Sequence, residues 1–270
     1  MPSKELVCVV IPIYRTDINA DEQIALEQCF RVLGKHPIYI VKPASLDISL
    51  LQSKFQNMKV ENFDDAFFTN VLAYNRLVLS EQFYGRFETY EFMLIYQLDA
   101  YVFRDDLAAW CHKNYDYIGA PWRTEIEFSS KTAQFLWEIK KKIALWLNLK
   151  EEKFGKYGPS EIIFKRTVGN GGFSLRRIEK IRHLIAKNQV KIEKYLGLAS
   201  SHSGYNEDAF LAVELNRYSK QLAIPNWEEA LHFAIEHQPE KSIKQIGGLP
   251  FGCHAWNIYE TDFWRKYIFR

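Results

Sequence analysis

Leu6-Val-Cys-Val-Val-Ile-Pro-Ile13 is the stretch on which the fold turns. A run of mostly β-branched apolar residues with no polar alternation belongs to a strand covered on both faces, and such strands build parallel sheets under helices. Working outward, Ala20–Leu33 carries Ile24, Leu26, Phe30 and Leu33 at helical spacing, with Gly34 as a stop. Residues 38–41 read as a second strand, 46–55 as a helix, 58–63 as a weaker third strand and 70–79 as another helix. Residues 92–98 form a further buried strand that ends at Asp99. Strands separated by helices predict an α/β fold with a mainly parallel, Rossmann-like sheet sandwiched by helices.

Farther along, residues 115–122 read as a short strand entering a loop, and 131–153 as one basic amphipathic helix. In that helix Phe135, Leu136, Ile139, Ile143, Trp146 and Leu147 share one side and Lys140, Lys141 and Lys142 the other. Residues 154–160 read as a loop, 168–175 as a glycine-rich turn entering a strand, and 178–187 as a helix. A polar loop at 200–205 precedes a helix starting at Glu207, and 227–236 reads as helical. One domain over 1–270 is the economical organisation.

Composition removes several functions. The 270 residues carry 35 Lys+Arg against 33 Asp+Glu, a near balance that does not suggest a nucleic-acid surface. No apolar run reaches the roughly 18 residues that span a bilayer, and the short N-terminal apolar run reads as a strand and not a signal peptide. Cys8, Cys29, Cys111 and Cys253 form no CxxC pair, which suits buried thiols in a reducing cytoplasm. There is no Walker loop, GxGxxG fingerprint or GxSxG elbow, and no histidine pair spaced for a metal.

Four places carry residues suited to chemistry. Pro12-Ile-Tyr14-Arg15 and Leu98-Asp99-Ala100-Tyr101 lie at strand ends, where open α/β sheets bind ligands. Asp99 is either a turn cap or a site acid. Gly169-Asn-Gly-Gly172 is either a hairpin turn or a close approach of backbone to ligand. Asn206-Glu207-Asp208 either complements a helix dipole or supplies a general base. In Gly252-Cys253-His254-Ala-Trp256 the histidine is either packed or functional, and the tryptophan offers a surface for a sugar ring.

These elements, in this order, resemble a GT-A-fold glycosyltransferase, with a match to a poorly characterised bacterial family found with surface-polysaccharide genes. The resemblance rests on Val9-Val-Ile-Pro-Ile-Tyr14, residues 90–101, 115–122, 169–176 and 206–208, and Glu229-Ala-Leu-His-Phe-Ala-Ile-Glu236. It implies a single GT-A-like domain over 1–270 with a helical insertion at 131–165. It also implies transfer of a sugar from a nucleotide-diphosphate donor to a hydroxyl of a glycan or lipid-linked acceptor, inverting, with Asp208 as base. Pro12, Tyr14, Asn75, Asp99, Ala100, Tyr101, Gly171 and Gly172 would bind the donor. Trp122, Glu207 and Trp256 would meet the acceptor.

Asp99 stands where the family carries an Asp-X-Asp motif, and His254 where some members carry a late metal ligand; the two would hold Mn2+ or Mg2+. Tyr101 replaces the second acid, which leaves metal dependence open. A non-catalytic nucleotide-sugar or glycan-binding protein of the same fold is the alternative. The basic helix at 131–153 is either packed on the domain or in peripheral contact with the inner face of the membrane.

Overall fold

The computed structural model describes residues 4–122, 126–153, 155–199 and 202–269. The N-terminal residues 1–3, Phe154 of the predicted 154–160 loop, and Ser200 and Ser201 of the polar loop lie outside them.

Strands β1 (Glu5–Pro12), β2 (Ile38–Pro43), β3 (Met58–Phe63) and β4 (Tyr90–Tyr96) run parallel in the order β3, β2, β1, β4. Phe173–Arg177 joins β4 antiparallel and in turn pairs with Tyr117–Gly119, completing a six-stranded sheet dominated by parallel pairs. The predicted class is therefore the observed one.

β1 shows why the apolar run decided it. Val7, Val9, Ile11 and Ile13 enter the core on one face with Leu26 and Cys29 of the Ala20–Leu33 helix. Cys8 and Val10 enter the core on the other face with Leu77, Phe83 and Met93. Each such side chain stabilises the fold by roughly 1.5–3 kcal/mol. The Ala20–Leu33 helix starts at a reciprocal cap: the Asn19 side chain accepts from the Glu22 N–H and the Glu22 carboxylate from the Asn19 N–H.

Several boundaries differ from the sequence reading. The second helix is confined to Ser49–Lys54. The long basic helix ends at Trp146, because Asn148 takes a left-handed conformation (φ 52) that breaks the hydrogen-bond ladder. Lys150–Lys153 then pairs antiparallel with Lys156–Pro159, so the insertion is a helix followed by a hairpin. Gly155 (φ 72) lies between those strands, where an L side chain would be strained. The helix predicted at 227–236 stops at Phe233, and Ala234–Ile235 becomes a strand beside Gly252–Cys253, which pairs with Tyr101–Val102. That small sheet brings Glu236 and His254 to the carboxyl end of β4.

Candidate active site

A cleft of about 630 Å³ opens at the carboxyl ends of β1 and β4. Pro12, Tyr14, Asn75, Asp99, Trp122, Gly171, Gly172, Glu207, Asp208 and His254 all line it, so acids far apart in the chain share one cavity. Three predicted residues do not reach it. Ala100 is fully buried behind Asp99. Tyr101 points into a separate aromatic cluster with Phe103 and Trp256. Trp256 is itself 0% exposed and offers no stacking surface. Asp99 lies in the turn that follows β4, and Tyr101 opens the Tyr101–Val102 strand, whose pairing with Gly252–Cys253 carries its ring into that cluster.

The rim begins with Tyr14, 59% exposed, whose ring lies 5.9 Å from the Arg15 guanidinium. Arg15 is held in turn by Glu22 at 2.6 Å. Asn75 is buried on the Val71–Val78 helix and donates to the Asn206 side chain at 3.1 Å, fixing the residue just before the two acids.

The glycine pair works by close approach. The left-handed residue is Asn170 (φ 62), not either glycine. A Cβ on Gly171 would strike the Glu207 carboxylate, and one on Gly172 would strike His254 and Gln97. Asn170 accepts from the Gly172 N–H at 3.1 Å, and its amide meets His254 Nδ1 at 2.9 Å.

Two acidic groups flank these glycines. In the first, His254 lies between Asp99 (Nε2 to Oδ1, 3.2 Å) and Glu236 (Nδ1 to Oε1, 3.3 Å). Burial alone would lower the imidazolium pKa, but Asp99 and Glu236 outweigh it and hold it up at about 10. Burial likewise opposes ionisation of Asp99 and of Glu236, and His254 overrides it, holding both below their ordinary values.

In the second, Arg176 is fully buried and bonds Glu207 at 2.9 Å, the Tyr84 hydroxyl at 3.1 Å and the Gly171 carbonyl at 3.2 Å. Among the described residues, the neighbouring Asp208 accepts a hydrogen bond only from the Ala209 N–H, at 2.8 Å. Burial, then the charge of Glu207, push the Asp208 carboxyl up to about 7. A three-residue helical turn, Glu207–Ala209, runs from these acids into a buried π-helical segment, Phe210–Glu214. Such segments recur at functional sites.

Glu207 Oε2 and Asn257 Oδ1 are buried, line the cleft and have no hydrogen-bond partner, and Asp99 Oδ1 and His254 Nε2 have none beyond their mutual ion pair. Buried polar atoms left unsatisfied are costly, and a polar ligand would complete them. Glu236, Asn170, Arg176 and Asn257 were not among the predicted site residues. Glu236 lies in the 229–236 stretch on which the resemblance rests, and that was its one signal, since the segment reads as helix and only the structure makes Ala234–Ile235 a strand.

A divalent cation fits part of this set. Asp99 Oδ1 and, with its proton lost, His254 Nε2 would be adjacent ligand atoms 3.2 Å apart, and neighbouring vertices of an octahedron with bonds of about 2.1 Å lie about 3 Å apart. Among the described residues no group of three or more His, Cys, Asp or Glu is arranged to hold a metal. Diphosphate and water would have to supply the remaining ligands.

Among solved structures, the apo form of the bifunctional glycosyltransferase WbbM matches at a TM-score of 0.51 with 11% identity over 94% of this chain. The chain spans 46% of the WbbM structure. An active-site variant of LgtC, a galactosyltransferase, matches at 0.50 with 12% identity over 92% of this chain and 86% of that one. The glycosyltransferase GlyE of Streptococcus pneumoniae TIGR4 matches at 0.49 with 13% identity, covering 99% and 61%. The fold is thus that of GT-A-type glycosyltransferases. A comparison with curated proteins finds no match. A family model matches residues 57–254, from the start of the third strand to His254, and the chain belongs to the family it describes, "Protein of unknown function (DUF5672)".

Proposed function

We propose that this chain is a glycosyltransferase that moves a sugar from a nucleotide-diphosphate donor to a hydroxyl of a glycan or lipid-linked acceptor. The observation that carries the reading is the cleft itself: partnerless buried oxygens of Glu207 and Asn257 and the Asp99–His254 pair beside an acid, Asp208, whose pKa stands at about 7. A general base works best with a pKa near the working pH. Four buried, unpaired cysteines suit a reducing compartment such as the cytoplasm.

In the proposed reaction Pro12, Tyr14 and Asn75 hold the base and ribose of the donor, and Gly171 and Gly172 admit the sugar. The bond from sugar C1 to the diphosphate oxygen breaks, and its electron pair leaves with the diphosphate. The acceptor oxygen attacks C1 from the opposite face, inverting the centre, and its proton passes to Asp208. Glu207, fixed by Arg176, keeps one oxygen free to take a hydrogen bond from a sugar hydroxyl, and Trp122 borders the acceptor. His254, as an imidazolium, brings positive charge to the diphosphate side. Mn2+ or Mg2+ held by Asp99 and His254 would take the place of the Nε2 proton and supply the positive charge in its stead.

A panel of nucleoside-diphosphate sugars, scored by thermal shift with and without Mn2+ and then by nucleoside-diphosphate release, tests this. At least one donor should stabilise the protein and release its diphosphate faster when a sugar acceptor is added. Stabilisation with no release would make the chain a binding protein. Neither effect with any donor would end the proposal.

A further inference from the structure

The Lys131–Trp146 helix carries its apolar side outward. Only Ala144 is fully buried along it. The helix is anchored by that residue, by Trp137 against Phe128 at 5.5 Å, and by Lys141, which donates to the Arg166 carbonyl at 3.2 Å and the Thr167 hydroxyl at 2.7 Å. Phe135, Leu136, Ile139, Ile143 and Trp146 face solvent, with Phe135 61% and Trp146 63% exposed.

At 3.6 residues per turn these side chains fall within about a third of the circumference, opposite Ala144. Lys140 and Lys142, both exposed, border that stripe on its two sides. Leu147, Leu149 and Tyr157 of the following turn and hairpin extend it and are also exposed. A soluble surface does not ordinarily keep a contiguous apolar stripe of this kind uncovered.

The charge pattern names the occupant. The helix has four lysines and one glutamate, and lysines on both borders of an apolar stripe let the ammonium groups reach a plane of anionic headgroups while the stems and rings enter it. A second copy of the chain would bring the same lysines face to face. We infer that the outward face of Lys131–Trp146, continued by Tyr157, docks on an anionic lipid surface.

The docking site is coupled to the cleft. Lys141 grips residues 166 and 167, the Arg166 N–H donates to the Trp122 carbonyl at 2.9 Å, and Trp122 lines the cavity. The docked face therefore lies a short packed path from the rim on which the proposed acceptor would arrive.

Flotation of the purified chain with vesicles of phosphatidylcholine, alone or mixed with phosphatidylglycerol, tests the inference without any sugar donor, so its outcome is independent of the proposed reaction. The wild type should float with the mixed vesicles only, and less as salt is raised. Phe135→Ser with Trp146→Ser, and separately Lys140→Glu with Lys142→Glu, should each weaken binding about tenfold or more at an unchanged melting temperature. Failure of the wild type to float, or flotation unaffected by both double variants, overturns the inference. So does self-association in lipid-free sedimentation that the Phe135 and Trp146 changes abolish, coupled with no vesicle binding: the face would then join two copies.

Discussion

The two acidic groups of the cleft each hold one cation and differ in whether it is shared. Asp99 and Glu236 share His254, and both acids are held below their ordinary pKa. Glu207 and Asp208 sit beside Arg176, but the guanidinium is committed to Glu207 at 2.9 Å, to Tyr84 and to a backbone carbonyl. Asp208 is left as the surplus acid, and burial with its charged neighbour raises it to about 7. One group holds both its acids low beside a shared imidazolium. The other leaves one carboxyl raised. Adjacent acids in the sequence thus differ because a single buried arginine faces only one of them.

Asp208→Asn should break the second group most severely. Removing a general base costs about 10²- to 10⁴-fold in rate, so transfer should fall by that much while donor binding, read by thermal shift, survives. Stability should respond in the opposite sense. With a folded pKa above 3.8, the neutral form of Asp208 contributes stability fully present below that pH and lost as pH climbs through about 7. The variant should therefore gain on the wild type above pH 7. Transfer within tenfold of wild type would remove Asp208 from the role.

Arg176→Met comes next. It strands Glu207 as an unpaired buried acid, which costs about 3–5 kcal/mol in urea unfolding. Adding Glu207→Gln should recover part of that loss, since the stranded charge is gone. If the double variant is as unstable as the single one, the ion pair is not what Arg176 contributes.

How much of this was legible follows from local physics. Periodicity at β1 and β4 needs only neighbours in the chain, so the parallel sheet and the Ala20–Leu33 helix could be read directly, while Asp99 falls in the turn after β4, past its end at Tyr96. The glycine pair was legible as a close approach, but its cause was not: Glu207 and His254 crowd it from 36 and 82 residues away. Tyr101 and Trp256 misled because an aromatic two residues from Asp99 or His254 looks the same whether it faces the cleft or the core. The Lys131–Trp146 helix shows the same limit from the other side. Its period was correct, yet amphipathicity says only that a helix has two faces, and here Ala144 and Lys141 turn inward while Phe135 and Trp146 turn out. Arg176 gave no signal, since its importance lies in being fully buried.

The pH dependence of the reaction separates the two groups more finely. If Asp208 is the base, kcat/KM should fall tenfold for each pH unit below about 7 and level off above it. Asp99 and Glu236, held low, should contribute nothing to that limb. Glu207→Gln removes a charge that raises the Asp208 pKa, so the limb should move to lower pH while keeping its slope. A limb that stays in place would mean that burial alone sets the value.

The smallest effect is expected at the rim. Tyr14 is mostly exposed and steadied by Arg15, so Tyr14→Ala should remove about 1 kcal/mol of contact with the donor base and raise KM for the donor several-fold. Because Tyr14 touches neither acidic group, kcat and the position of the pH limb should stay as they are. A change in kcat would mean that the donor base and the leaving diphosphate are positioned as one unit, and that the rim is part of the charge arrangement that distinguishes Asp99 from Asp208.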